Sequence, residues 1–174
     1  MGRNEIVKTA LALAFLMLCA PDASAWEAHG RALTQELEGF SATAYTDTRG
    51  IQTIGYGFNC AYHSCDKMTR DHAREVFLLK YDEATARAVR FSASAWVQMT
   101  AGEKIAIVDM AYNLGNRLFK FKRLRVALQE RGTQGIIREM RSSKWYHQTG
   151  TRPERLISII DSDQRLKIII NKRG

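Results

Sequence analysis

Nothing in the 174 residues reads as a phosphate-binding loop, a zinc-hydrolase motif or a nucleophilic triad, which sets aside the chemistries that depend on them. Cysteine is scarce, with only Cys19, Cys60 and Cys65. No internal repeat or low-complexity linker divides the chain, and 45% hydrophobic with 25% charged residues is ordinary globular composition, enough for one compact domain. The run without charge from Thr9 to Ala20 falls short of the roughly 20 apolar residues of a permanent membrane span, and Pro21-Asp22 closes it.

That run has the build of an export signal. Arg3 and Lys8 precede it, and Ala23-Ser24-Ala25 fits signal-peptidase cleavage before Trp26. Residues 1–25 are therefore expected to be a cleaved signal, with an uncleaved anchor or a buried core helix as the alternatives. The protein is then periplasmic or secreted. Cleavage removes Arg3, Lys8, Glu5 and Asp22, two charges of each sign, so the chain from Trp26 keeps the net +8. A basic exported protein is drawn to polyanions. Export makes nucleic acid an unsuitable partner and points to cell-wall glycans carrying peptide carboxylates or to anionic envelope surfaces, unless the charge serves solubility alone.

From Trp26 to Glu38 the apolar residues Trp26, Leu33 and Leu37 share one helical face, with Gly39 at the C-cap position. SATAYTD, a turn at Thr48-Arg49-Gly50 and IQTIGYGF then predict a small hairpin. Thr69 is a candidate N-cap for a long helix in which Ala73, Val76, Phe77, Leu79, Ala84 and Val89 recur near helical period. Thr100 or Gly102 starts another helix, EKIAIVDMAYNLG, apolar nearly all round and hence the expected centre of a helical lobe ending at Gly115. Shorter helical pieces follow through Leu156. The expected fold is α+β: a small lobe at about 38–68, a helical lobe at about 69–174 that includes the N-terminal helix, and a cleft between them.

Glu38 and Asp47 are the carboxylates to watch. Glu38 ends its helix, where unsatisfied carbonyls disfavour an ionised carboxylate and raise its pKa, which suits a general acid. Asp47 sits in the polar hairpin beside Thr46, Thr48 and Arg49, where it stays ionised and can act as a base. A Glu and an Asp nine residues apart are, by themselves, ordinary solvated charges.

The surrounding string says more. Glu38-Gly39 followed by Tyr45-Thr46-Asp47-Thr48-x-Gly50-x-x-Thr53-Ile54-Gly55-Tyr56-Gly57 closely resembles the active-site segment of phage-type lysozymes, glycoside hydrolase family 24. The resemblance continues through Ala111-Tyr112-Asn113-Leu114-Gly115 and Trp145-Tyr146-His147-Gln148-Thr149 to Arg152 and Arg155, and so covers most of Trp26 to Leu156. It implies a lysozyme-like fold and a muramidase that hydrolyses the β-1,4 bond between N-acetylmuramic acid and N-acetylglucosamine with inversion. It implies Glu38 as general acid, Asp47 as base or stabiliser and Thr53 as the holder of the attacking water. Arg152 would orient the acid, with Tyr45, Asn113 and Gln148 binding or orienting substrate. No cofactor and no metal is implied, and a monomer acting on peptidoglycan strands is expected. A binding or morphogenetic module that keeps the fold without turnover is the rival reading. On Arg152, an exposed cation on a terminal helix is the alternative.

Two departures stand out. Many members carry a His where this chain has Phe58, so any ion pair built on that His is missing. The stretch between hairpin and long helix is also much shorter than in T4 lysozyme, and it holds Cys60 and Cys65. In an oxidising compartment the two are expected to form a disulfide that replaces the missing cleft wall as a clamp. A metal site of Cys60, His63 and Cys65 lacks a fourth ligand, and thiol exchange with Cys19 of an uncleaved anchor is a further alternative. The basic run Arg117 to Arg125 reads either as a membrane-surface helix or as a core face with a solvated basic side, and the tail Lys167 to Ile170 as terminal packing. Intact-mass measurement of the exported protein is expected to give a chain starting at Trp26; a chain that retains residues 1–25 would assign that segment to an anchor.

Overall fold

The computed structural model describes residues 23–47, 50–130 and 132–171. Residues 1–22, which hold most of the expected export signal and Cys19, and the turn residues Thr48 and Arg49 lie outside the described residues, as do the side chains of Lys167, Ile168 and Ile170.

The first helix, α1 (Ala23–Glu38), begins three residues before Trp26 and ends where the glycine signal placed it. Leu33 is buried, with Trp26 and Leu37 packed beside it. The Gly39 N–H donates to the Gln35 carbonyl at 3.1 Å and closes the last turn. Three antiparallel strands follow in the order β1 (Ser41–Thr46), β2 (Gln52–Gly55) and β3 (Phe58–Asn59). The expected hairpin is thus β1–β2, and IQTIGYGF is not one strand. It folds back at Tyr56-Gly57, because Gly57 at φ +77° permits a two-residue turn. Phe58 becomes a core side chain, 1% exposed, against Tyr56 and the ring of His63.

The long helix α2 (Arg70–Ser92) is capped by Thr69, whose hydroxyl accepts from His72 N. Its buried face is Ala73, Phe77, Tyr81, Ala84, Ala88 and Phe91, spaced by three and four as a 3.6-residue period demands. Leu79 and Val89 do not belong to it. Leu79 stands two residues from Phe77 and Tyr81, hence on the opposite side, and is 69% exposed.

After a 3₁₀ segment, Ala93–Gln98, the helix α3 (Ala101–Leu114) starts at Thr100 rather than Gly102. Thr100 Oγ1 accepts from Glu103 N, and Glu103 Oε2 accepts from Thr100 N, a reciprocal capping box. The side chains from Ile105 to Ala111 are buried all round, so α3 is the axis of the helical lobe. A second 3₁₀ segment (Gly115–Lys120) and α4 (Lys122–Gln129), α5 (Thr133–Arg141) and α6 (Lys144–Gln148) wrap it. The basic run breaks at Phe121 into two pieces, with Leu118 and Leu124 buried and the cations in solvent, so it is a core face with a basic outer side.

The last helix, α7 (Arg152–Asn171), runs well past Leu156, with Pro153 in its first turn and Leu156, Ile157 and Ile160 in the core. Ile169, in the tail, is 48% exposed rather than packed. Asp163, near the middle of α7, accepts from Gly102 N, which ties α7 to the start of α3, while Arg152 at the beginning of α7 lies beside Asp109 in the middle of α3.

Helix α1 lies close on α2 because Gly30 has no side chain: a Cβ there would collide with the hydroxyl of the fully buried Tyr81. Gly30→Ala gains helix propensity of about 1 kcal/mol, but overpacking against an immobile ring costs about 1–3 kcal/mol. The substitution is expected to lower the melting temperature in the wild type and to raise it in a Tyr81→Phe background, a reversal that thermal unfolding of the four proteins reads directly.

Candidate active site

Glu38 is the last residue of α1 and points into the gap between the sheet and the helical lobe. Its Oε1 accepts a hydrogen bond from Arg152 Nη2. Its Oε2 faces the backbone of Gly57, where a Cβ would come within 2.8 Å. Glycine at 57 is therefore required twice, by the positive φ of the turn and by the carboxylate pressed against it.

Behind Glu38 lies a chain of buried polar groups. Arg152, the first residue of α7, is 8% exposed, and its Nε stands 2.9 Å from Asp109 Oδ1. Asp109 belongs to α3 and has no exposed surface. Its Oδ2 accepts from Thr34 Oγ1 of α1 at 2.9 Å. Burial pushes the Asp109 carboxyl up to about 6, the charge of Glu38 adds to the rise, and Arg152 and Thr34 oppose it. The guanidinium of Arg152 feels burial first, which favours losing its proton; Asp109 and Glu38 overcome this and hold it above the ordinary arginine value.

Asp47 follows β1 at the tip of the hairpin. Its N–H donates to the Ile51 carbonyl, and its Oδ1 accepts from Ile51 N at 2.9 Å, so the turn backbone orients the carboxylate. Thr53 on β2 sits opposite Tyr45 on β1 and is buried. Its hydroxyl donates to the Ile51 carbonyl at 3.0 Å, which leaves the oxygen as an acceptor toward the cleft. The Tyr45 phenol is raised above its ordinary value by partial burial and then by the charges of Glu38 and Asp47, so it lies in the field of both.

From the helical lobe, Asn113 Oδ1 accepts from Trp145 Nε1 at 2.9 Å, and Thr149 Oγ1 donates to the Trp145 carbonyl. A cleft of about 620 Å³ is lined by Glu38, Tyr45, Asp47, Thr53, Asn113, Gln148 and Arg152 together, with Gly57, Leu114, Arg117, Trp145 and Thr149 completing its walls. Arg152 is a buried cation, not an exposed one. Arg155 is elsewhere, paired with Glu36 at 2.9 Å on the outer surface.

Cys60 and Cys65 form a disulfide, with both sulfurs committed to each other rather than to a metal. Neither lines the cleft, so the bridge is not a replacement wall. It reaches the site through the backbone: Cys60 N donates to Gln52 O, and Asn59 pairs with Thr53.

Sequence reasoning missed Asp109, Thr34 and Arg117. Asp109 carried a signal, a lone acid inside the apolar EKIAIVDMAYNLG, because a buried carboxylate must find a partner. Arg117 was hidden among the cations of the basic run.

The phage lysozyme family matches residues 35–158, a span that takes in Glu38 through Arg155. The chain is similar to a probable T4-type lysozyme 1 of Dictyostelium discoideum, 24% identical over 159 residues, covering 72% of this chain and 89% of that protein. Its fold is similar to that of the muramidase domain of SpmX from Asticaccaulis excentricus, with a TM-score of 0.62 at 18% identity over 76% of this chain and 94% of that one.

The raised Asp109 carboxyl has a consequence for stability. Between its unfolded value near 3.8 and its folded value of about 6, the folded protein binds the extra proton, so stability falls as pH rises through that window. Asp109→Asn lacks this dependence. The stability of wild type relative to Asp109→Asn is expected to be greatest below about pH 4 and to decline up to about pH 6, as urea unfolding at a series of pH values would show.

Proposed function

Because the chain belongs to the phage lysozyme family, we propose that it is a muramidase that hydrolyses the β-1,4 bond between N-acetylmuramic acid and N-acetylglucosamine in peptidoglycan. The observation that carries this reading is the convergence on one cleft of a buttressed carboxyl, Glu38, with Asp47 and Thr53 on the facing sheet. Cleavage needs one carboxyl to protonate the leaving oxygen and another to activate water on the opposite side of the sugar.

Glu38 is the proton donor in this proposal. Arg152 holds one of its oxygens, and Gly57 leaves room for the other. Asp47 is the base or stabiliser, oriented by Ile51 N. Since the Thr53 hydroxyl spends its proton on the Ile51 carbonyl, it receives a hydrogen bond from water rather than donating one. A water that gives one proton to Thr53 and the other to Asp47 turns its lone pair outward, toward an anomeric carbon. Tyr45, Asn113, Gln148 and Arg117 are then the residues that contact sugars or their peptide carboxylates. Action on the wall from the exported side, as a monomer, completes the proposal.

Glu38→Gln keeps the shape and the Arg152 contact but has no proton to give. It is expected to clear purified peptidoglycan at least about 100-fold more slowly than wild type, the scale of a lost general acid. Equal rates, or none from either protein, would overturn the reading, the second result favouring a binding module. Reducing-end analysis of the products is expected to show hydrolysed rather than anhydro ends.

A further inference from the structure

A cation that grips a proton donor creates a conflict: Arg152 fixes Glu38 in place, yet an unbalanced guanidinium favours the carboxylate that has already lost its proton. Asp109 stands where this conflict can be resolved. It lies on the side of Arg152 away from the cleft, 2.9 Å from Nε, while Nη2 of the same guanidinium holds Glu38. It is wholly buried, and Thr34 pins its second oxygen. Such a carboxylate carries a large desolvation penalty and is retained in the middle of an otherwise apolar helix.

We propose that Asp109 is a positioning residue for the proton donor: it anchors Arg152 from behind and balances its charge, so that the guanidinium orients Glu38 without holding it ionised. One cation is shared by two carboxyl groups, and the cluster of three carries one fewer charge when either acid is protonated. The coupling is visible in the groups around it. Glu38 contributes to the raised proton affinity of Asp109. Tyr112 of α3 is raised by burial first, then by Glu38 and Asp109, with Arg152 opposing. Tyr81 of α2 is raised by burial and by Asp109. Tyr45 faces Glu38 from β1, and Arg155 of α7 also feels Asp109. No cation other than Arg152 contacts either acid among the described residues.

This inference deepens the muramidase reading and rests on it for its catalytic meaning, but its test does not need turnover. The Glu38 side-chain carboxyl carbon is followed by NMR through a pH titration in wild type, Asp109→Asn and Thr34→Val, alongside the pH profile of peptidoglycan clearing. Asp109→Asn is expected to shift the Glu38 titration to lower pH by about one unit and to move the alkaline limb of the activity profile with it. Thr34→Val, which weakens the ionised form of Asp109, is expected to shift both the same way by less, and it serves alone if Asp109→Asn does not fold. An unmoved Glu38 titration in the folded variants overturns the inference, even where stability or rate falls, because a purely structural Asp109 would produce that result. A shifted titration in a protein that clears no peptidoglycan would uphold the charge balance and overturn the muramidase reading instead.

Discussion

The structure turns on one buried guanidinium. Arg152 begins α7, and its two contacts reach Asp109 at the middle of α3 and Glu38 at the end of α1, so three helices distant in sequence are locked at a single point. Taking these charges out of water is expensive, and removing one partner of a buried pair typically costs about 3–5 kcal/mol. The arrangement is tolerated because each carboxylate has a second constraint: Thr34 for Asp109, and the Gly57 backbone for Glu38. A similar volume of apolar side chains would hold the helices together at lower desolvation cost.

The sheet solves a different problem. Asp47 and Thr53 line the cleft with Glu38 from a segment too small to have a core of its own. Both take their orientation from Ile51, which supplies a donor to Asp47 Oδ1 and an acceptor to Thr53. The sheet is seated on the helical lobe by the buried side chains of Ile54, Tyr56 and Phe58, with the Tyr56 ring edge-on to Phe58 and to Phe77 of α2. Tyr112 closes the joint from α3 by donating to the Tyr56 carbonyl at 3.2 Å. The disulfide loop follows β3, and neither of its cysteines lines the cleft.

Much of this was legible in the chain, and the reasons are specific. Helix ends announced themselves through Gly39, Thr69, Thr100 and Gly115, because capping is a local hydrogen-bond requirement. Glu38, Asp47 and Thr53 fall within sixteen residues, so a motif could link them. Leu79 and Val89 misled because an apolar residue adds to a helical pattern whether or not it faces the core. Tyr81 was passed over although it sits on the buried stripe. The length of α7 was underestimated because the wholly polar block from Asp161 to Arg165 interrupts its apolar pattern.

The sequence by itself determined the family, the element types and which carboxylates sit beside a glycine-rich hairpin, since each is a property of neighbours along the chain. Only the tertiary structure decided that Arg152 is buried between Glu38 and Asp109 rather than exposed, and that Arg117 turns toward the cleft while Arg155 turns away. A buried charge does not specify its partner through local propensity. The partner is chosen where packed helices cross, and there the desolvation of one charge compels the approach of another.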